Sequence, residues 1–285
     1  MLICNLKLNF YFLIGYAPLV MNVVKQEKCT LIINLQDNFK RAIEQVGESV
    51  SIFTYPIFQE NINSRPELVA SSVAIELDGK YFLCTARHVI EGLNKSLPTY
   101  CANSNLSQGG IFIELNSKVI FTKNSKNVEL DLCLIDISAI KEKFIFLNGS
   151  KIALDSNFSG KSFNVLLGYP ISQNKGMKAI DPSRNEVTTG FLTVAVKLDS
   201  NIDFLNFKGK TEYAHVGFRY HVDYEKQILP FPRGMSGCGV WNIPSVYDTE
   251  NFSLAGIFIE YHKKEKIGFA TKANYIKKLS TDFVK

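Results

Sequence analysis

Apolar residues recur at helical spacing in two places along the chain. Phe39, Ala42, Ile43 and Val46 fall at i, i+3, i+4 and i+7, which puts them on one face of a short helix. Asp37 or Asn38 can cap its start and Gly47 can end it. Near the other end, Ala273, Ile276, Leu279 and Phe283 share a face of a terminal helix. Everything between reads as short apolar runs separated by turns. The predicted strands are 50–56, 71–77, 81–85, 111–115, 119–122 and 131–137 in the first half. In the second half they are 151–154, 163–168, 187–197, 212–220, 239–242, 254–261 and 268–271. Asp78-Gly79 between two apolar runs marks a tight hairpin. A boundary falls at 145–160, where Asn148-Gly149-Ser150 and 156–160 are rich in turn residues. The polar stretches 94–110 and 172–186 read as long loops, where function often concentrates on a β scaffold. The pattern predicts an all-β fold of barrels or sandwiches.

Composition sharpens this reading. Of 285 residues, 46% are hydrophobic and 21% charged, so the chain can bury a core and is not globally disordered. The 21 Phe and 12 Tyr favour strands. The net charge is 32 − 27 = +5, and the lysines are scattered, so no nucleic-acid partner is expected. Six cysteines stand at 4, 29, 84, 101, 133 and 238, with no CxxC pair and no zinc spacing. Cys84, Cys133 and Cys238 lie in apolar runs and read as small buried thiols. A disulfide framework is not expected at this size, which points to a reducing, cytoplasmic setting. Residues 1–34 read as a tail. Its apolar run 10–24 is short for a membrane span and is broken by Pro18 and Asn22. Met21 is a candidate start, which would make 1–20 a translation artefact; the alternative is an anchor or a poor export signal.

Few residues can carry chemistry. Gly160-Lys161-Ser162 resembles the end of a phosphate loop, but Asp155 stands where the first glycine is needed. The histidines are His88, His215, His221 and His262, none paired at i, i+4. His88 directly follows an apolar strand that ends in Thr85-Ala86. Asp131 opens the apolar strand Asp131-Leu132-Cys133-Leu134, where an acid is costly unless paired. Asp136 competes with it, but five residues on, a regular strand turns it to the other side. Gly234-Met235-Ser236-Gly237 permits a tight turn, and the N–H groups of Gly234 and Ser236 could form an oxyanion hole.

His88, Asp131 and Ser236 follow one another in the order of one triad arrangement, 43 and 105 residues apart. Together these residues resemble a trypsin-like serine peptidase of the bacterial, non-secreted type. The resemblance covers about 48–280. Thr85-Ala86-Arg87-His88 matches the family's histidine motif, and Asp131-Leu132-Cys133-Leu134 its acid motif with cysteine for alanine. Gly168-Tyr169-Pro170 matches a turn of its second barrel. Leu254-Ala255-Gly256-Ile257-Phe258 resembles its substrate-flanking strand, and Gly268-Phe269-Ala270-Thr271 the strand after it.

The resemblance implies a chymotrypsin-type double β-barrel: two six-stranded antiparallel barrels with short N- and C-terminal helices. The barrels would span about 48–147 and 148–271, within a peptidase domain of 35–285 that closes on a helix at 272–284. It implies a serine endopeptidase without cofactor. Ser236 would be the nucleophile, His88 the base and Asp131 its orienting acid. Pro230, Ile259, Glu260, Tyr261 and Gly268 would line the primary pocket. No acid stands at its base, so a small or hydrophobic residue is expected there, with the direction of Glu260 left open. The alternatives are a silent module that binds a peptide or protein, and an esterase. Met235 stands where the secreted enzymes carry the aspartate that receives a liberated amino terminus. Activation by cleavage is therefore not expected, and packing, a partner or a ligand must set the serine turn.

Overall fold

A computed structural model describes residues 25–103, 110–123, 127–153, 162–174, 186–187, 189–220, 223–224, 227–228 and 230–281. The run 10–24, residues 154–161, His221 and Phe283 lie outside the described residues, as do 104–109 and 175–185 of the two long loops.

The chain enters through helix α1 (Lys25–Ser51). It is longer than the predicted 39–46 at both ends. Neither Asp37 nor Asn38 begins it, and Gly47 lies inside it, where a Cβ would overlap the Thr193 side chain. The apolar stripe continues to Val50, and Val46 and Val50 are fully buried, so packing carries the helix past the glycine.

The first sheet comprises β1 (Thr54–Glu60), β2 (Pro66–Leu77), β3 (Lys80–Ala86), β4 (Thr99–Asn103), β5 (Gly110–Glu114), β6 (Val119–Phe121), β7 (Leu132–Asp136) and β8 (Leu147–Asn148). The β2–β3 hairpin turns at Asp78-Gly79, both at positive φ, as the dipeptide predicts. Strand β4 lies inside the stretch read as a loop, and it pairs with both β1 and β5. The order β5-β4-β1-β2-β3-β7-β6 curls into a half-barrel. It does not close: β6 has three residues, and β5 pairs instead with β10 (Glu186–Val187). The first half is thus a curled half-barrel beside the closed barrel of the second, consistent with the expected double β-barrel.

The second half is a closed six-stranded antiparallel barrel. Its strands are β9 (Phe163–Gly168), β11 (Leu192–Leu198), β12 (His215–Arg219), β15 (Gly239–Ile243), β16 (Ser253–His262) and β17 (Ile267–Lys272). Short strands β13 (Asp223–Tyr224) and β14 (Gln227–Ile228) form a separate hairpin. The predicted strand 151–154 is a single bridge, Ile152 to Leu254. Short helix α2 (Arg87–Glu91) follows β3, and α3 (Asn274–Thr281) ends the fold.

One apolar cluster joins the halves. Val73, Phe82 and Leu132 of the first sheet pack with Val165, Trp241 and Ile257 of the barrel, and α1 and α3 close it with Val50 and Ile276. This shared core holds the seam where the candidate site lies. Among the described residues no helix is long and apolar enough to cross a membrane.

Candidate active site

The β3–β7 pairing sets Ala86 opposite Leu132; His88 stands two residues past the end of β3, and Asp131 directly precedes β7. His88 N donates to Asp131 Oδ1 at 2.8 Å, and His88 Nδ1 lies 2.7 Å from Asp131 Oδ2. Arg87 N donates to the Asp131 carbonyl at 3.1 Å. Asp131 is buried and holds φ at +45°, an uncommon conformation for a residue with a side chain. Half of the His88 side chain is exposed. The hydrogen bond to Asp131 raises the His88 pKa above the ordinary histidine value, against the opposing effect of partial burial. The charges of Asp131, Glu260 and Glu129 add to the rise. Asp136 caps the turn at the far end of β7, where it accepts from Ser138 N at 3.0 Å.

The loop that presents Asp131 is tied to the barrel. Glu129 N donates to the Gly209 carbonyl at 2.9 Å, and Thr271 Oγ1 donates to the Leu130 carbonyl. His215 Nε2 donates to the Glu129 carbonyl at 2.8 Å, while its Nδ1 accepts from Thr211 N at 3.0 Å. Burial pushes the His215 pKa down to about 4, with the charge of Lys210 adding to the fall against the backbone hydrogen bonds. His215 is therefore a neutral structural residue.

The serine turn spans 232–238. Glycines 234 and 237 hold φ at +91° and +89°, which the absence of a Cβ permits. Met235 N donates to the Pro232 carbonyl, Gly237 N to Phe258 and Cys238 N to Met235, at 3.0, 2.7 and 2.9 Å. The N–H groups of Gly234 and Ser236 have no acceptor among the described residues. They are the two that the sequence proposes as an oxyanion hole. The Arg233 carbonyl accepts from Ile171 N at 2.8 Å, so the trans peptide turns Gly234 N–H the opposite way. A Cβ on Gly237 would overlap Thr85 Oγ1 and the Ser71 carbonyl. The residue after Ser236 thus abuts the strand that delivers His88 three residues later. Ser236 makes no hydrogen bond to His88 among the described residues.

No family model matches the chain, and no curated protein does.

The predicted pocket residues lie on β16, β17 and the segment before the turn. Ile259 forms a bulge in the β16–β17 pairing and is buried among Ala86, Phe207 and Phe269. That bulge decides the direction of Glu260: its Oε2 lies 2.9 Å from Lys210 Nζ, and its Oε1 lies 3.1 Å from His262 Nε2. Burial would raise the Glu260 carboxyl, but the hydrogen bond and charge of Lys210 outweigh it and hold it below the ordinary range. Lys210 is buried, with Glu129 Oε2 also 3.6 Å away, so neither acid stands alone. Tyr261 packs against the rings of Tyr220 and Phe231. The Pro230 carbonyl accepts from Tyr220 Oη at 2.8 Å. Gly268 pairs with Tyr261, and the Phe218 ring fills the space where its Cβ would stand. Cys238 is fully buried, and burial pushes its thiol pKa well up, so it is no thiolate nucleophile at neutral pH. Among the described residues no group of three or more His, Cys, Asp or Glu could hold a metal ion.

Sequence reasoning missed Ser71, Ile171 and Lys210. Gly168-Tyr169-Pro170 is visible as a motif, and Tyr169 and Ile171 back the serine turn at Gly234. Ser71 carries no local signal beyond opening a predicted strand.

Proposed function

We propose that this chain is a serine endopeptidase of the trypsin-like type, acting on protein or peptide substrates through an acyl-enzyme. One observation carries the reading. A histidine paired with a buried carboxylate lies at the same seam as a serine turn whose Gly234 and Ser236 N–H groups have no acceptor among the described residues, with Gly237 against Thr85. Ser236 Oγ attacks the substrate carbonyl carbon while its proton passes to His88 Nε2. Asp131 accepts from Nδ1–H throughout and stabilises the imidazolium. The carbonyl oxygen, now an anion, takes hydrogen bonds from Gly234 N–H and Ser236 N–H. Collapse breaks the C–N bond, and His88 returns its proton to the leaving amine. Water then repeats the sequence on the acyl-enzyme.

The pairing of Glu260 with Lys210 fits a preference for small or hydrophobic residues better than one for arginine or lysine. A silent binding module is the second reading, favoured by the absence of a Ser236–His88 hydrogen bond among the described residues. A fluorophosphonate probe separates the two, with the label located by mass spectrometry. Labelling of Ser236, cleavage of peptides, and a loss of roughly four to six decades in Ser236→Ala support the peptidase. An unlabelled, folded wild-type protein overturns it. Turnover of simple esters without peptides would make the chain an esterase.

A further inference from the structure

We infer that Ser71 is a positioning residue that organises the anion-binding turn from the opposite half of the molecule. This rests on the peptidase reading. Ser71 lies in β2 of the first sheet and is fully buried. Its N–H donates to the Ser236 carbonyl at 3.0 Å, and its Oγ donates to the Gly234 carbonyl at 3.0 Å. The same Oγ accepts from Tyr169 N at 2.9 Å, and the Ser71 carbonyl accepts from Thr85 Oγ1 at 2.7 Å. One residue therefore holds the peptide units that directly follow the Gly234 and Ser236 N–H groups in the chain.

The remaining carbonyls of the turn are held as well. Arg233 O is bound by Ile171 N, and Met235 O by Cys238 N. By planarity, these two bonds fix the peptide units that carry the Gly234 and Ser236 N–H groups, and the two bonds from Ser71 fix the peptide units that alternate with them, Gly234–Met235 and Ser236–Gly237. Of these anchors, the two from Ser71 cross from the first sheet to the second barrel, in the strand that adjoins Thr85 and so the histidine segment. Ser71 couples the hole to the base. Met235 is fully buried among Leu166, Val194 and Phe218, so an apolar plug and a neutral hydroxyl set this turn. The Met235 thioether offers a liberated amino terminus no counter-charge. The intact, uncut chain should therefore hold a competent turn.

The test compares wild type, Ser71→Ala and Ser71→Cys in the full chain. The readouts are kcat and KM for p-nitrophenyl acetate, the fluorophosphonate labelling rate, the pH profile and the intact mass. Ser71→Ala leaves the Gly234 carbonyl and the Tyr169 N–H without their partner. We expect kcat and labelling to fall about 10- to 100-fold, short of the 10²–10³ for deleting an oxyanion donor outright. KM should stay within about twofold and the midpoint of the pH profile should not move, because neither His88 nor Asp131 touches the hydroxyl. Ser71→Cys keeps the shape with a weaker donor and should lie between. Wild type should label at its full, uncut mass.

Equal rates in all three proteins overturn the inference. A loss carried by KM overturns it too, as does labelling that appears only after cleavage. If Ser71→Ala does not fold, Ser71→Cys decides. If neither folds, Ser71 serves the fold rather than the turn, and the inference fails. A wild type that never labels refutes the peptidase reading itself, a result distinct from all of these.

Discussion

Gly237→Ala should damage this protein far more than a glycine substitution at comparable φ elsewhere. Gly237 and Gly79 hold φ at +89° and +76°. A Cβ at Gly79 would meet nothing within 4 Å, whereas at Gly237 it would overlap Thr85 Oγ1 and the Ser71 carbonyl. Both substitutions carry a left-handed backbone cost of about 1–2 kcal/mol. Only Gly237→Ala adds overpacking, about 1–3 kcal/mol, because the groups it strikes are a buried strand and a hydroxyl already bonded within it. The expected destabilisation is thus about 2–5 kcal/mol for Gly237→Ala, against about 1–2 kcal/mol for Gly79→Ala. The wedge also acts on function. Thr85 and Ser71 belong to the first sheet and Gly237 to the serine turn, so relief comes by parting Ser236 from His88. A displacement near 1 Å costs about 100-fold in rate. Urea unfolding of the two variants measures the first effect, and fluorophosphonate labelling of the folded protein measures the second. Equal destabilisation, or a Gly237→Ala variant that labels at the wild-type rate, would refute the packing argument.

Other outcomes follow from the charged and buried groups. His88 must be neutral to accept a proton, so activity should rise with pH through a midpoint above about 6.5, the ordinary value; Asp131→Asn should lower that midpoint, and a midpoint unmoved by it would contradict the pairing. The stabilisation from that raised pKa is complete below about 6.5 and fades as pH climbs through the folded-state value. His215 acts with the opposite sign. Its folded pKa is about 4, so stability should fall as pH drops from about 6.5 toward 4, by about 3 kcal/mol. A His215→Gln variant with an unchanged acid-unfolding curve would contradict this. Cys238→Ala should cost about 1–2 kcal/mol by leaving a small cavity yet keep its turnover, and loss of activity in a folded variant would make the thiol functional.

Much of the fold is legible because strands and turns announce themselves locally. Short apolar runs bounded by turn residues mark most barrel strands, and Asp78-Gly79 marks its hairpin, since both signals belong to adjacent residues. The order of His88, Asp131 and Ser236 is legible in the same way, each at the edge of an apolar run. What local pattern could not convey depends on partners distant in the chain. Gly47 looks like a helix stop, but the helix continues because Val46 and Val50 bury against both halves of the molecule. Strand β4 hides in a polar stretch, because its two neighbours supply the pairing that its own alternation does not advertise. The first sheet stays a half-barrel, with β5 paired to β10 more than seventy positions on. A bulge at Ile259 aims Glu260 at Lys210, an outcome that regular alternation cannot foresee. Ser71 is the sharpest case. Its bond to Gly234 spans 163 residues, so only the docking of the first sheet against the barrel gives that hydroxyl a carbonyl to hold.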